Sequence, residues 1–192
     1  MTIFQIIMLA AAAFFAYQVY VYIQGMDEEA EPAFIQENEA IEIEPSPDEL
    51  IEEADKAYMD GEIEVARKRL EEIVSRYPDF AEGMNKLAFI LAKQGDALGA
   101  EKYYKASLEL EKDDVTHNAL ATLLVSLDRN SEAEEHYKKA LEIDSGYEVT
   151  WFNYANLMLR IGKHDEAKEM YQKVLDIDPG FEQAKEELEN LK

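Results

Sequence analysis

The chain has no cysteine. Disulfides, thiolate metal sites and cysteine nucleophiles are therefore excluded, and the redox compartment is left open. Bases are scarce: 19 Lys and Arg stand against 42 Asp and Glu, a formal net charge of -23. Such a surface repels phosphate backbones and gains nothing from anionic headgroups, so nucleic acid is not an expected partner. The shortage is uneven. No Lys or Arg precedes Lys56, and residues 1–46 hold eight acids. Residues 47–192 keep 34 acids and all 19 bases, a net of -15. Histidine is rare too. His117, His136 and His164 fall at different positions of the repeat described below and make no i, i+4 pair, so no metal site is expected. Gly-rich phosphate loops and a GxSxG elbow are missing. The expectation is a protein with no cofactor, no small-molecule substrate and no enzymatic activity.

What the front of the chain does have is one long apolar run. Residues 3–23, IFQIIMLAAAAFFAYQVYVYI, carry no charge and two amides, Gln5 and Gln18. As a helix the run is about 31 Å long, which matches a hydrocarbon core of roughly 30 Å. Tyr17, Tyr20 and Tyr22 crowd its end, where amphipathic rings favour the headgroup level. A transmembrane helix is the expected reading. A cleaved signal peptide would normally have a basic n-region and a shorter apolar stretch; a buried core helix is the other alternative. Ala12 and Ala16 form a small-xxx-small pair, a weak sign of close helix approach in lipid. Orientation is poorly specified, because no Lys or Arg flanks the run. The missing basic n-region leans towards a cytoplasmic C-terminal domain, with a periplasmic one as the alternative.

Residues 24–46 follow as an acidic linker containing Gly25, Pro32, Pro45 and eight acids. Like charge and proline favour an extended tether. The apolar patches Phe34-Ile35 and Ile41 to Ile43 are either incidental or docking points. Ser46-Pro47-Asp48-Glu49 then predicts a helix start, with Ser as N-cap, Pro at N1 and Glu at N3 of a capping box.

Beyond that signal the chain repeats. Gly61, Gly95, Asp128 and Gly162 are separated by 34, 33 and 34 residues. The columns Ala54, Ala88, Ala121, Ala155 and Ala66, Ala100, Ala133, Ala167 keep those intervals, as do Leu70, Tyr104, Tyr137 and Tyr171. Within a unit, apolar residues recur at helical spacing on either side of the Gly column. Trp151, Tyr154, Ala155 and Met158 fall at i, i+3, i+4, i+7, and Ala167, Tyr171, Val174 and Leu175 continue after Gly162. Pro179 ends the unit, since proline cannot continue a helix.

This pattern resembles the tetratricopeptide repeat family, with its W-x2-L-G-x2-Y, A-x3-F and P positions. The resemblance covers residues 47–181 as units 47–80, 81–113, 114–147 and 148–181. It implies an all-α, right-handed superhelix of helix–turn–helix repeats. Departures are Glu53 in an apolar column, His117 in the Trp column, Asp128 in the Gly column, and Lys112 and Ser145 for the terminal Pro. Residues 182–192 place Ala184, Leu188 and Leu191 on one face with Phe181 before them. They are expected to form a capping helix over the last repeat.

The resemblance also implies a groove lined by certain positions of each first helix. In the first unit these are Asp48, Ile51, Glu52, Asp55 and Met59; in the third they include Val115, Ala119 and Ser126. The expected binding residues are Asn85, Lys86, Phe89, Lys93, Asn118, Thr122, Phe152, Asn153, Asn156 and Arg160. Asn side chains can pair with a peptide backbone without reading its side chains. Lys86 and Lys93 suggest an acidic group on the partner. The expected function is a membrane-tethered scaffold that binds a protein or peptide partner. Bacterial proteins of this layout imply the inner membrane and a role in envelope or respiratory-complex assembly. A chaperone-like holder of unfolded clients is the alternative.

Overall fold

The computed structural model describes Phe14, residues 16–21 and residues 45–191. The chain divides into two compact units, Met1–Glu44 and Pro45–Lys192. In the first, Phe14 and residues 16–21 are helical. Phe14, Tyr17, Val19, Tyr20 and Val21 are exposed. Among the described residues, no helix is long and apolar enough to cross a membrane. Most of the expected span 3–23, and the linker with both its apolar patches, lie outside the described residues.

The second unit is a series of helix pairs. Helices α1 (Pro47–Met59) and α2 (Ile63–Arg76) form the first repeat, and α3 (Ala81–Lys93) and α4 (Ala97–Leu110) the second. Helices α5 (Asp114–Ser126) and α6 (Asn130–Ile143) form the third, and α7 (Glu148–Arg160) and α8 (His164–Ile177) the fourth. Helix α9 (Glu182–Asn190) follows and packs on α8. Each helix packs most extensively on its partner within the repeat, then on the next helix in the chain. First helices also touch along the series, α3 with α5 and α5 with α7. This all-α repeat fold answers the periodicity of the sequence.

Local chemistry sets each boundary. At α1 the capping box is complete: Ser46 Oγ accepts from the Glu49 N–H, and Glu49 Oε2 accepts from the Ser46 N–H at 2.8 Å. These bonds satisfy amide donors that a helix start leaves unpaired. Every first helix ends in the same Schellman turn. In the first repeat the Glu62 N–H donates to the Ala57 carbonyl and the Gly61 N–H to that of Tyr58. The pairs recur as Asp96–Leu91 and Gly95–Ala92, Arg129–Leu124 and Asp128–Val125, and Lys163–Met158 and Gly162–Leu159. The motif needs a left-handed residue after the cap. Gly61, Gly95 and Gly162 supply it with φ of 80°, 85° and 81°, while Asp128 adopts it at φ 59° despite its β-carbon. Aspartate tolerates this region better than most residues because its short polar side chain can bond locally. Asp128→Ala removes that help and is expected to lower stability by about 1 kcal/mol, whereas Asp128→Gly is expected to hold or raise it. Urea midpoints of the two variants check this.

The small-residue columns sit where paired helices come closest. All eight alanines of the two columns expose 1% or less. Leu70, Tyr104, Tyr137 and Tyr171 are buried beside them. A larger residue in the Ala columns would force the helices apart, which typically costs about 1–3 kcal/mol. At the far end Ala184 is buried, and Phe181, Leu188 and Leu191 pack against the same core. A terminal repeat exposes an apolar face unless something covers it, and α9 supplies that cover. At the near end, in the first described repeat, Glu53 breaks the apolar column; it stays exposed and pairs loosely with Arg69 at 3.7 Å.

Candidate peptide-binding groove

Two adjoining cavities open between the first helices of repeats one to three. The first, about 400 Å³, is lined by Asp55 and Tyr58 of α1, Lys86 and Phe89 of α3, and Val115 and Ala119 of α5, among others. The second, about 430 Å³, lies between Phe89 and Lys93 of α3 and Asn118, Ala119 and Thr122 of α5. Phe89, Tyr104, Val115 and Ala119 line both. Their walls are mainly apolar. Each has the size of a site for one or two side chains. Phe89 stands between them, edge-on to Tyr58 with ring centroids 5.6 Å apart, and the Lys93 ammonium lies 5.3 Å from the Phe89 centroid.

Six of the ten expected residues, Asn85, Lys86, Phe89, Lys93, Asn118 and Thr122, line these cavities. The other four lie on α7 and are engaged within the protein. Phe152 packs on Phe181 and Tyr171, with centroids 5.0 and 5.7 Å away. Asn153 Nδ2 donates to Asn118 Oδ1 at 3.1 Å. Asn156 Oδ1 accepts from the Tyr171 hydroxyl at 2.5 Å. Arg160 pairs with Asp128 of the preceding repeat. On this helix the groove positions join repeats and hold the cap.

The amides on α3 and α5 are also partly used. Asn85 Nδ2 donates to Thr116 Oγ1 at 2.6 Å, and the Thr116 hydroxyl donates to Asp113 Oδ2 at 2.5 Å. Asp113 Oδ2 also accepts the Thr116 N–H at 2.6 Å, which caps α5. Thr150, the equivalent of Thr116 in the fourth repeat, is fully buried, and its hydroxyl has no partner among the described residues. A buried, unpaired hydroxyl is costly, whereas a paired one is favourable. Thr150→Val is therefore expected to raise stability by about 1 kcal/mol, and Thr116→Val to lower it by about 1–2 kcal/mol. Thermal melts of the two valine variants, moving in opposite directions, are the check.

Lys86 is not a free cation. Its ammonium donates to Asp55 Oδ1 and Oδ2 at 3.0 and 2.9 Å and lies 3.5 Å from Glu82. The expected acidic partner group would have to compete with both carboxylates. Ile51, expected in the groove, is buried in the core instead.

Two features were not anticipated from the sequence. One is Tyr104. In the third and fourth repeats the equivalent tyrosine bonds to the first helix: Tyr137 to Thr122 at 3.1 Å, and Tyr171 to Asn156. The matching position in repeat two is Phe89, which offers no acceptor, so Tyr104 lacks the partner its counterparts have. Burial pushes the Tyr104 phenol up to about 12, so it stays neutral and able to donate. Aligning the columns of both helices would have exposed this mismatch. The other concerns the histidines. They make no i, i+4 pair in the sequence, yet His117 Nδ1 lies 2.8 Å from His136 Nδ1. The two are 19 residues apart, on α5 and α6, so no local spacing could reveal the pair. Among the described residues, no group of three or more potential ligands could hold a metal ion.

A tetratricopeptide repeat model matches residues 79–146 and, in a second overlapping alignment, 115–179. The comparison with curated proteins gives no match. Among solved structures the chain is similar to MamA, with a TM-score of 0.66 and 21% identity over 72% of this chain and 81% of MamA. It is similar to PilF of Pseudomonas aeruginosa, with a TM-score of 0.71 and 21% identity over 76% of this chain and 67% of PilF. YrrB, described as having an unusual peptide-binding site, gives a TM-score of 0.62 and 17% identity over 88% of this chain and 81% of YrrB. At these identities the structural likeness speaks for the fold alone. The family model spans more than half of the chain and coincides with the helix pairs and their Schellman turns, so the chain belongs to the tetratricopeptide repeat family.

Proposed function

We propose that this protein is a membrane-tethered adaptor, a binding protein and not a catalyst, that holds a partner segment in the groove between α1, α3 and α5. The pair of adjoining apolar cavities around Phe89 carries this reading. A peptide can place an apolar side chain on either side of that ring. Burying apolar area there contributes roughly 25 cal/mol per Å². The charge-free run at 3–23 supports the tether, and the bacterial inner membrane suits it, with the repeats on the cytoplasmic side. A role in envelope or respiratory-complex assembly fits such an adaptor.

Ala119 lines both cavities, which makes it the site for a test. Ala119→Arg would fill the groove while leaving its long stem a route to solvent. Co-purification from cells with the full chain, quantified by mass spectrometry, is expected to show one dominant partner that is lost with this variant. A partner retained at wild-type level would refute the groove. Many weakly bound clients would instead favour a holder of unfolded chains. Protease digestion in intact and permeabilised cells tests the tether and its side.

A further inference from the structure

The charges around the groove identify its occupant more closely than its shape does. We propose that the groove takes a segment in which Lys or Arg adjoins an apolar side chain: the base meets Asp55 and Glu82, the apolar group enters beside Phe89, and a main-chain carbonyl accepts from Tyr104. This rests on the groove reading above and deepens it.

Consider the charged groups first. Asp55 of α1 and Glu82 of α3 line the first cavity, and Glu52 lies one helical turn before Asp55. Lys86 sits among them with its ammonium held by Asp55 and close to Glu82. Two carboxylates around one ammonium leave a net negative charge. An incoming carboxylate would meet Asp55 and Glu82 before it could pair with Lys86. An incoming ammonium or guanidinium finds carboxylate oxygens with unused lone pairs, since each oxygen accepts more than one bond. Lys93 lies over the Phe89 ring. The net -15 of residues 47–192 adds a longer-ranged field that draws cations in.

Next consider the neutral polar group. Tyr104 lines both cavities. Its counterparts Tyr137 and Tyr171 spend their hydroxyls on Thr122 and Asn156. Phe89 removes that acceptor in repeat two and supplies an apolar wall in its place. The substitution leaves a donor at the groove and nothing in the repeat to satisfy it. A peptide carbonyl would do so. Repeat two is therefore built differently from repeats three and four at the one place where the cavities meet.

The test is selection of a random 12-residue peptide library displayed on phage against the full chain in detergent, counter-selected on Ala119→Arg. Enrichment of sequences with Lys or Arg beside Leu, Ile, Phe or Met is expected. The best peptide, made synthetically and dye-labelled, is then titrated by fluorescence anisotropy. Replacing its bases with Glu is expected to weaken binding at least tenfold. The Asp55→Asn, Glu82→Gln double variant, which leaves Lys86 unpaired, is expected to narrow or invert that preference. Tyr104→Phe is expected to weaken binding by about 2- to 10-fold, the range for one neutral hydrogen bond, with an unchanged melting temperature. Enrichment of acidic peptides that still depend on Ala119 would overturn the charge assignment and keep the groove. So would equal binding of the Lys and Glu versions. Full affinity in Tyr104→Phe would overturn the carbonyl contact. If no peptide is enriched over the counter-selection, or basic peptides bind Ala119→Arg equally well, the groove reading fails along with this one.

Discussion

Tyr137→Ala is expected to cost about 3–5 kcal/mol, the range for removing a large buried aromatic side chain. The ring is 2% exposed and sits where α5, α6 and α7 meet. It stacks on Tyr154 of the next repeat with centroids 5.6 Å apart and planes inclined by 23°. Its hydroxyl is tied to Thr122, 3.1 Å away. The alanine variant therefore loses core packing, an inter-repeat aromatic contact and a hydrogen bond together. A domain has only about 5–15 kcal/mol of stability in total. In a repeat array each unit leans on its neighbours alone, so the loss falls on the junction between repeats three and four. Urea unfolding followed by circular dichroism is expected to show a transition at lower urea, split in two, with the fourth repeat and α9 melting first. Tyr137→Phe should lose about 1 kcal/mol, for the hydroxyl bond alone. Tyr104→Phe should lose nothing measurable, since Tyr104 has no such bond among the described residues. A cost below about 1 kcal/mol for Tyr137→Ala would show that the tyrosine column does not join the repeats.

These contrasts show which features could be read from the sequence. The alanine columns, the glycine turns, the Ser46 capping box and the apolar face after Phe181 are each set by neighbours within a few residues or one repeat period. Periodicity and local chemistry reach them. The groove positions on first helices are also periodic, and six of the expected residues do line the cavities. What periodicity cannot supply is the partner of a side chain in the next repeat. Lys86 looks like a free base because Asp55, 31 residues earlier, is invisible to local spacing. Asn153 and Asn156 look like groove amides until Asn118 and Tyr171 arrive beside them. Phe152 looks like an anchor for a ligand and is one for Phe181. The side chains of a superhelical face are shared between neighbours, so their roles depend on the pairing of columns from different repeats. Column pairing also explains the open groove: Phe89 replaces an acceptor, and Leu70 replaces a tyrosine whose hydroxyl could otherwise reach Asp55.

Acidification is expected to weaken the third repeat before it weakens anything else. His117 is buried, His136 is half-buried, and their Nδ1 atoms are 2.8 Å apart. At that distance one Nδ1 must carry the hydrogen and the other accept it, so both cannot be protonated. Burial is the main cause that lowers the basicity of both, aided by Lys139; for His136 the neighbouring His117 and Lys105 add to it. Asp113 opposes the shift at His117 and Glu132 opposes it at His136, but neither prevails. His136 is held down to about 4. A base whose affinity for protons is lower in the folded state takes up protons on unfolding. Stability is therefore complete above the unfolded value of about 6.5 and is lost as pH falls towards 4. Allowing for the exposed part of the rings, the loss is about 1–2 kcal/mol. Of the nearby carboxyls, burial raises that of Asp114 at the start of α5, and a carboxyl raised by folding gains stability on acidification, which opposes the histidine effect. Glu101, held down by hydrogen bonds from Arg129 and Lys105, and Glu134, held down by Lys138, begin to give up their contributions as pH falls through the unfolded carboxylate value of about 4.5. The comparison with a variant lacking His136 is what singles out the histidines between pH 6.5 and 5. Met170 occupies the position of His136 in the fourth repeat, which makes His136→Met the natural control. Urea midpoints of the wild type are expected to fall across that window and those of His136→Met to stay level, with both falling below pH 4.5. Parallel slopes for the two proteins would assign the acid sensitivity to groups outside this pair.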